Sequence, residues 1–239
     1  MNQTNLFQRA IGRLARSHYL LERFLIYRDP RKYWNARGGN TYFQEQESYE
    51  TRQKRSEWIA EEIAGLPAES VLEIGCGYGK QLKNLFRKKK GKFFGVDFSH
   101  SQLLKAKEFV SAEFPFVEAD AATLPFPDDA FDLVFSSAVI LHNEKKQAKR
   151  ILSEMIRTSK GLLLHNEDKN TSSTRFAYDL AVFYRELGFT LVKNSQIPAA
   201  SDPARTQFLI VQFPPSQKQK LNPKRIETAI QLASAGRIS

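Results

Sequence analysis

The stretch Val71-Leu72-Glu73-Ile74-Gly75-Cys76-Gly77-Tyr78-Gly79 decides the fold. Val71–Ile74 reads as a short apolar strand that runs into a tight glycine turn. Glycine tolerates positive φ and lets the backbone come close to a ligand, so a strand–glycine–helix junction is a nucleotide-cradling device. The dinucleotide fingerprint is G-x-G-x-x-G, which seats a pyrophosphate on a helix N-terminus. Here the spacing is the tighter Gly75-x-Gly77-x-Gly79, and the carboxylate Glu73 precedes it. That carboxylate repels a pyrophosphate but suits an ammonium group, met directly or through water.

Working outward, strands and helices alternate. Lys80–Lys88 reads as a helix and Phe93–Val96 as a strand ending in Asp97. Ser101–Val110 is helical, with Ser99 or Ser101 as cap candidates. Phe114–Glu118 and Phe131–Ser136 are strands and Glu144–Thr158 a helix. Gly161–His165 is a strand and Thr174–Leu187 a helix ended by Gly188. Phe189–Lys193 and Gln207–Phe213 follow with no helix between them, which predicts an antiparallel hairpin at one edge. The expected fold class is α/β: a Rossmann-like, mostly parallel sheet of seven strands with helices on both faces.

Three further segments follow the glycine turn in order: Gly95-Val96-Asp97-Phe98-Ser99, Glu118-Ala119-Asp120-Ala121-Ala122-Thr123-Leu124-Pro125-Phe126, and Phe131-Asp132-Leu133-Val134-Phe135-Ser136-Ser137. With Val71–Gly79 they resemble the four motifs of class I S-adenosylmethionine-dependent methyltransferases. The likeness runs over roughly 58–213 and is nearest to the ubiquinone and menaquinone biosynthesis (type 11) subgroup. It implies S-adenosylmethionine as cofactor, S-adenosylhomocysteine as product, and no metal. It places Glu73, Gly75, Cys76, Gly77 and Gly79 around the methionine end. Asp97 and Phe98 fall at the ribose, Asp120 and Ala121 at the adenine, and Ser136 at the strand end facing cofactor and substrate. Asp97 lies 18 residues after Gly79, close to the spacing of about 20 for an acid that grips ribose hydroxyls. Read without the resemblance, Asp97 is a helix cap, Asp120 a turn former and Cys76 a small packing residue.

The acceptor is less legible. A base is needed only where the acceptor must lose a proton. His142 is the best titratable candidate, its ordinary pKa being about 6.5; its plainer reading is a loop or cap histidine. His165, Asn166 and Glu167 end the next strand, on the edge where open α/β sheets bind ligands. After the fourth motif the chain reads Ser136-Ser137-Ala138-Val139, without the Asn/Asp-Pro-Pro-aromatic segment of enzymes that methylate adenine or glutamine amines. By that resemblance, O- or C-methylation of a small molecule, lipid precursor or saccharide is favoured.

Ahead of the domain, 4–27 reads as an amphipathic basic helix stopped by Asp29-Pro30. An irregular aromatic stretch follows, with Tyr33, Trp34, Tyr42 and Phe43 around a Gly38-Gly39 hinge: a candidate substrate lid. A second helix is expected over about 47–64, with Trp58, Ile59 and Ile63 inward. The expected division is 1–46 helix and lid, 47–215 methyltransferase domain, and 216–239 basic tail, helical over Asn222–Ala235.

Of 239 residues, 41% are apolar, enough for a substantial core. The single cysteine excludes an internal disulfide and fits a cytoplasmic setting. The net charge of +10 sits at the ends. Residues 1–37 carry eight basic and two acidic groups, residues 217–239 five and one, and the middle is neutral. Such ends fit an anionic membrane surface or RNA as partner, or serve solubility. An RNA methyltransferase and a non-catalytic methyltransferase-fold subunit are the competing readings. The sequence leaves oligomeric state open.

Overall fold

The computed structural model describes residue 18 and residues 20–235. Most of the expected 4–27 helix lies outside them; residues 20–26 are helical and are labelled α1. The elements that follow are α2 (Pro30–Arg37), α3 (Asn40–Glu47), α4 (Glu50–Ala64), β1 (Ser70–Ile74), α5 (Lys80–Lys88), β2 (Lys92–Asp97), α6 (His100–Phe109), β3 (Phe116–Glu118) and β4 (Phe131–Ser137). After a 3-10 turn at Ile140–His142 come α7 (Lys145–Thr158), β5 (Ser159–Asp168), α8 (Leu180–Glu186), β6 (Thr190–Ser195), β7 (Thr206–Gln212), α9 (Pro215–Lys218) and α10 (Pro223–Ala235).

The seven strands are ordered β3-β2-β1-β4-β5-β7-β6. All pairs up to β4–β5 are parallel; β7 runs antiparallel to both β5 and β6. The second strand of the final hairpin therefore slots beside β5 and leaves β6 at the edge. Strand alternation sends Leu72, Ile74, Val134, Leu163 and Val211 toward a core shared with α7, α8 and α10. Val71, Phe93, Leu133, Phe135, Leu164 and Phe208 face Ile59 and Ile63 of α4 and Leu82 and Leu85 of α5. Ala229, Ile230 and Ala233 of α10 are buried in the first of these cores, so the basic C-terminal segment is anchored by its apolar face.

Two local expectations are corrected. The stretch read as irregular is two short helices. Asp29 does more than stop the preceding helix: its carboxylate accepts from the Lys32 amide at 3.0 Å, and Pro30 occupies the first turn of α2. Gly38 caps α2 and Gly39, at φ 85°, starts α3. The helix expected over Thr174–Leu187 begins only at Leu180, where Asp179 caps it by accepting from the Val182 amide. Residues Thr174 and Arg175 instead run past the 3-10 turn and become a wall of the site.

Candidate active site

A cleft of about 400 Å³ opens at the carboxyl ends of β1, β2, β4 and β5, where the strand order reverses between β1 and β4. Its floor is Gly75 and Gly77, both at positive φ, 60° and 54°. The two glycines answer different needs. A Cβ on Gly75 would lie 2.5 Å from Val139 Cγ2, so Gly75 lets the loop after β4 pack onto the turn. A Cβ on Gly77 would meet only Gln102 Nε2 at 3.9 Å, which leaves bare backbone facing open cleft, a cradle for a ligand. Gly79 does not line the cleft; it is the left-handed cap of α5.

Asp97 ends β2 beside this floor. Its Oδ2 accepts from the Gly77 amide at 2.9 Å and its Oδ1 from the Ser99 amide at 2.8 Å. Burial pushes its pKa up while these amide bonds oppose the shift. The Phe98 amide also acts on it; an ionised carboxylate has about four acceptor sites, so acceptor capacity remains for a ligand hydroxyl. Phe98 and Ala121 line the next part of the cleft. Asp120 lies there too, but its carboxylate is engaged: it accepts from the Ala122 amide at 2.9 Å and Gln147 Nε2 at 3.1 Å, and Arg31 Nη2 lies 2.7 Å away. Arg31 also stands 5.5 Å over the Phe98 ring.

Glu73 and Cys76 sit beneath the turn. Glu73 is 2% exposed, and its Oε2 is buried without a hydrogen-bond partner. Desolvation, reinforced by Asp97, drives its pKa well up. This Glu73 does not touch the cleft directly; it stands one layer under the glycines. Cys76 packs its thiol into the α4–α5 core, and burial raises the thiol pKa, so its side chain is structural.

On the acceptor side, strand parity separates the candidates. Ser137 pairs in register with Asn166, and both line the cleft. Ser137 Oγ accepts from Asn166 Nδ2 at 2.6 Å, and Arg55 donates to Asn166 Oδ1 and to Asp168. Ser136 and His165, expected at the cofactor and substrate, point to the opposite face and are fully buried. There Ser136 Oγ lies 2.8 Å from both His165 Nδ1 and Glu167 Oε1, and His165 Nε2 meets the Tyr184 hydroxyl. Burial lowers the His165 pKa to about 3. Glu167, its pKa pushed up to about 7 by burial, accepts from the amides of Val139, Ile140 and Leu141. It thereby clamps the turn that carries His142.

His142 lines the cleft. Its Nδ1 lies 2.8 Å from the Thr174 carbonyl, which can only accept, so Nδ1 carries the proton and Nε2 keeps its lone pair. Burial lowers its pKa to about 4. The Trp34 ring meets it edge-on at 4.8 Å, Trp34 Nε1 donates to the Tyr27 hydroxyl, and that hydroxyl donates to the His142 carbonyl. Tyr33 and Tyr42 complete this aromatic wall. Tyr27, Arg52 and Arg55 also line the cleft, although sequence reasoning did not select them. The signal for the arginines was present: positions 52, 55 and 56 continue, one turn upstream, the inward face of Ile59 and Ile63.

Residues 71–161 match the family description of a methyltransferase domain. Over these residues, from β1 into β5, the chain is similar to methyltransferase domains. Among relatives, cycloartenol-C-24-methyltransferase of Arabidopsis thaliana is 28% identical over 39% of this chain and 29% of its own length. The 2-phytyl-1,4-naphthoquinone methyltransferase of Trichormus variabilis is 37% identical over 28% of this chain and 32% of its own. The chain thus spans about a third of these relatives. A solved S-adenosylmethionine-dependent methyltransferase of Leishmania major superposes with a TM-score of 0.64, at 17% identity, over 78% of this chain and 82% of that one; this likeness speaks for the fold. Among the described residues no group of side chains forms a metal site.

Proposed function

We propose that the protein transfers a methyl group from S-adenosylmethionine to the oxygen or carbon of a small, lipid-like acceptor. The observation that carries this is the open backbone at Gly77 facing Asp97, whose carboxylate holds the turn and still has acceptor sites to spare. Asp97 would hold the ribose, and Phe98 and Ala121 the adenine. Asp120 would join them once Arg31 gives way. When bound, the sulfonium supplies an already activated methyl group, so the chain's main task is alignment. Trp34, Tyr33 and Tyr42 offer the acceptor a flat apolar wall. For a hydroxyl acceptor, His142 Nε2 is a neutral base.

Apolar acceptors accord with the two relatives, which are named for cycloartenol and a phytyl naphthoquinone. They accord also with α1. Leu20, Leu21, Phe24, Leu25 and Ile26 are each more than half exposed, and Tyr27, the next residue, is part of the cleft wall. An anionic lipid surface is the partner this reading supplies.

Cell extract incubated with methyl-labelled cofactor and the protein should gain a labelled product, extractable into organic solvent and visible by mass spectrometry. The Asp97→Ala protein should give none. Label appearing in RNA would favour the nucleic-acid reading. No label with the unaltered protein, although it binds S-adenosylhomocysteine, would favour a non-catalytic subunit.

A further inference from the structure

The helix α2 buries none of its residues, yet Pro30, Arg31, Tyr33, Trp34 and Arg37 all line the cleft. A helix with so little buried surface is held by a few side chains and by its ends. Its C-terminal end is tight. A Cβ on Gly38 would lie 2.6 Å from Ser101 Oγ and 3.0 Å from Ser99 Oγ, so the chain passes close over the start of α6. Gly39 follows at φ 85°, a backbone suited to a pivot. Arg37 pairs with Glu45 of α3, not with the sheet domain. In mid-helix, Trp34 meets the His142 ring and donates to the Tyr27 hydroxyl. Among the described residues, one ion pair ties α2 to the sheet domain: Arg31 Nη2 with Asp120 Oδ2, 2.7 Å apart. At 1.5 Å per residue, Arg31 stands about 10 Å along the helix from Gly38.

Arg31 also stands where a base would stand. Its guanidinium carbon is 5.5 Å over the centre of the Phe98 ring. A flat ring slid between the two needs about 3.5–4 Å to each neighbour, about 7–8 Å in all. The gap is too narrow, so a base stacked on Phe98 displaces the guanidinium. Little opposes that displacement. The Arg31 side chain is 56% exposed, and exposed ion pairs are weak. Asp120 keeps its bonds from the Ala122 amide and Gln147 when Arg31 leaves, so its carboxylate stays aimed at the cleft.

We propose that the Arg31–Asp120 bridge is a latch on α2: it holds the helix as a strap across the cleft, and an adenine base entering at Phe98 and Asp120 takes the place of the guanidinium and frees the strap. The base as trigger rests on the methyl-transfer reading; the strap does not. Trp34 rides on the same helix, so release at Arg31 loosens the aromatic wall beside His142. The cofactor then binds first and the acceptor second.

Hydrogen exchange and calorimetry on the full chain test both halves. Without ligand, Arg31→Gln should exchange the amides of residues 31–37 faster than the wild type and leave those of α4 unchanged. Equal exchange over 31–37 would refute the strap. S-adenosylhomocysteine should speed exchange over 31–37 in the wild type and change it little in Arg31→Gln. It should bind Arg31→Gln about twofold to fivefold more tightly, the worth of an exposed ion pair. Its affinity for the wild type should rise as salt screens the bridge, with no such gain in the variant. Equal or weaker binding by Arg31→Gln, or protection of 31–37 when the wild type binds, would overturn the latch; weaker binding would make Arg31 a clasp on the base. If the wild type binds neither S-adenosylhomocysteine nor adenosine while ligand-free exchange still separates the two proteins, the strap stands, and the methyl-transfer reading falls together with the base as trigger.

Discussion

At His142 one hydrogen bond settles a protonation state. The Thr174 carbonyl requires a proton on Nδ1, burial keeps the ring neutral, and Nε2 makes no hydrogen bond among the described residues. A base works in its unprotonated form. With a pKa lowered to about 4, His142 should hold that form throughout neutral pH and lose it as pH falls through about 4. The turnover profile should therefore lack an acid limb near 6.5 and show one near 4. His142→Gln should cost about 100-fold or more in kcat if the ring accepts the acceptor's proton. A change of threefold or less would assign it the plainer role of a wall residue. The same shift bears on stability. The unfolded chain binds a proton at about pH 6.5 that the folded chain resists until about pH 4, so this group's stabilising contribution is complete above 6.5 and declines between those values.

At the scale of the element, β4 and β5 show how one strand can serve two ends. Ser137, Asn166 and Asp168 reach the cleft, while Ser136, His165 and Glu167 turn into the core behind it. Glu167 is the hinge of this arrangement, because three amides of the turn before His142 converge on its carboxylate. Its pKa, raised to about 7 from an ordinary 4.5, means that the folded chain binds this proton more readily than the unfolded one. Relative to Glu167→Gln, which cannot titrate, the wild type should lose stability as pH rises from about 4.5 to about 7 and change little beyond. Melting curves of the two proteins across that range check this; parallel curves would refute the raised pKa. This parity is also what the sequence did not reveal. Strand positions, the glycine turn and Asp97 were legible because apolar runs, glycine spacing and a strand-end acid are local signals. Leu162-Leu163-Leu164 is apolar on both faces, as a central parallel strand must be, so no alternation told Asn166 from His165. Likewise α2 and α3 hid among aromatics, since their apolar faces are short and their caps, Asp29 and Gly39, resemble the end of one helix and a loop.

At the scale of the molecule, an exposed apolar helix, α1, leads directly into Tyr27 of the cleft wall. Leu20, Phe24, Leu21 and Leu25 fall within an arc of roughly 140° on α1, at 100° per residue. They are 58–69% exposed. Arg23, on the other side, holds α1 to the body by donating to the carbonyls of Ser172 and Arg175. Arg28 is exposed and stands 5.5 Å over the Phe24 ring, beside the apolar arc. No helix among the described residues is long and apolar enough to cross a membrane; on the lipid-surface reading proposed above, the apolar arc of α1 would lie in the headgroup boundary. Each basic residue near an anionic leaflet contributes about 1 kcal/mol, and each apolar side chain fully buried about 1.5–3 kcal/mol. The protein should therefore sediment with phosphatidylglycerol vesicles, less with phosphatidylcholine, and less as salt rises. Phe24→Glu with Leu25→Glu should reduce that binding about 100-fold or more, by the removal of two apolar anchors and the addition of two negative charges. Neither residue lines the cleft, so S-adenosylhomocysteine affinity should stay unchanged, and only turnover of a vesicle-borne acceptor should fall. Vesicle binding that survives the double substitution would remove α1 from the contact. A wild-type dimer that the substitutions convert to monomer would assign the arc to a second copy of the chain instead.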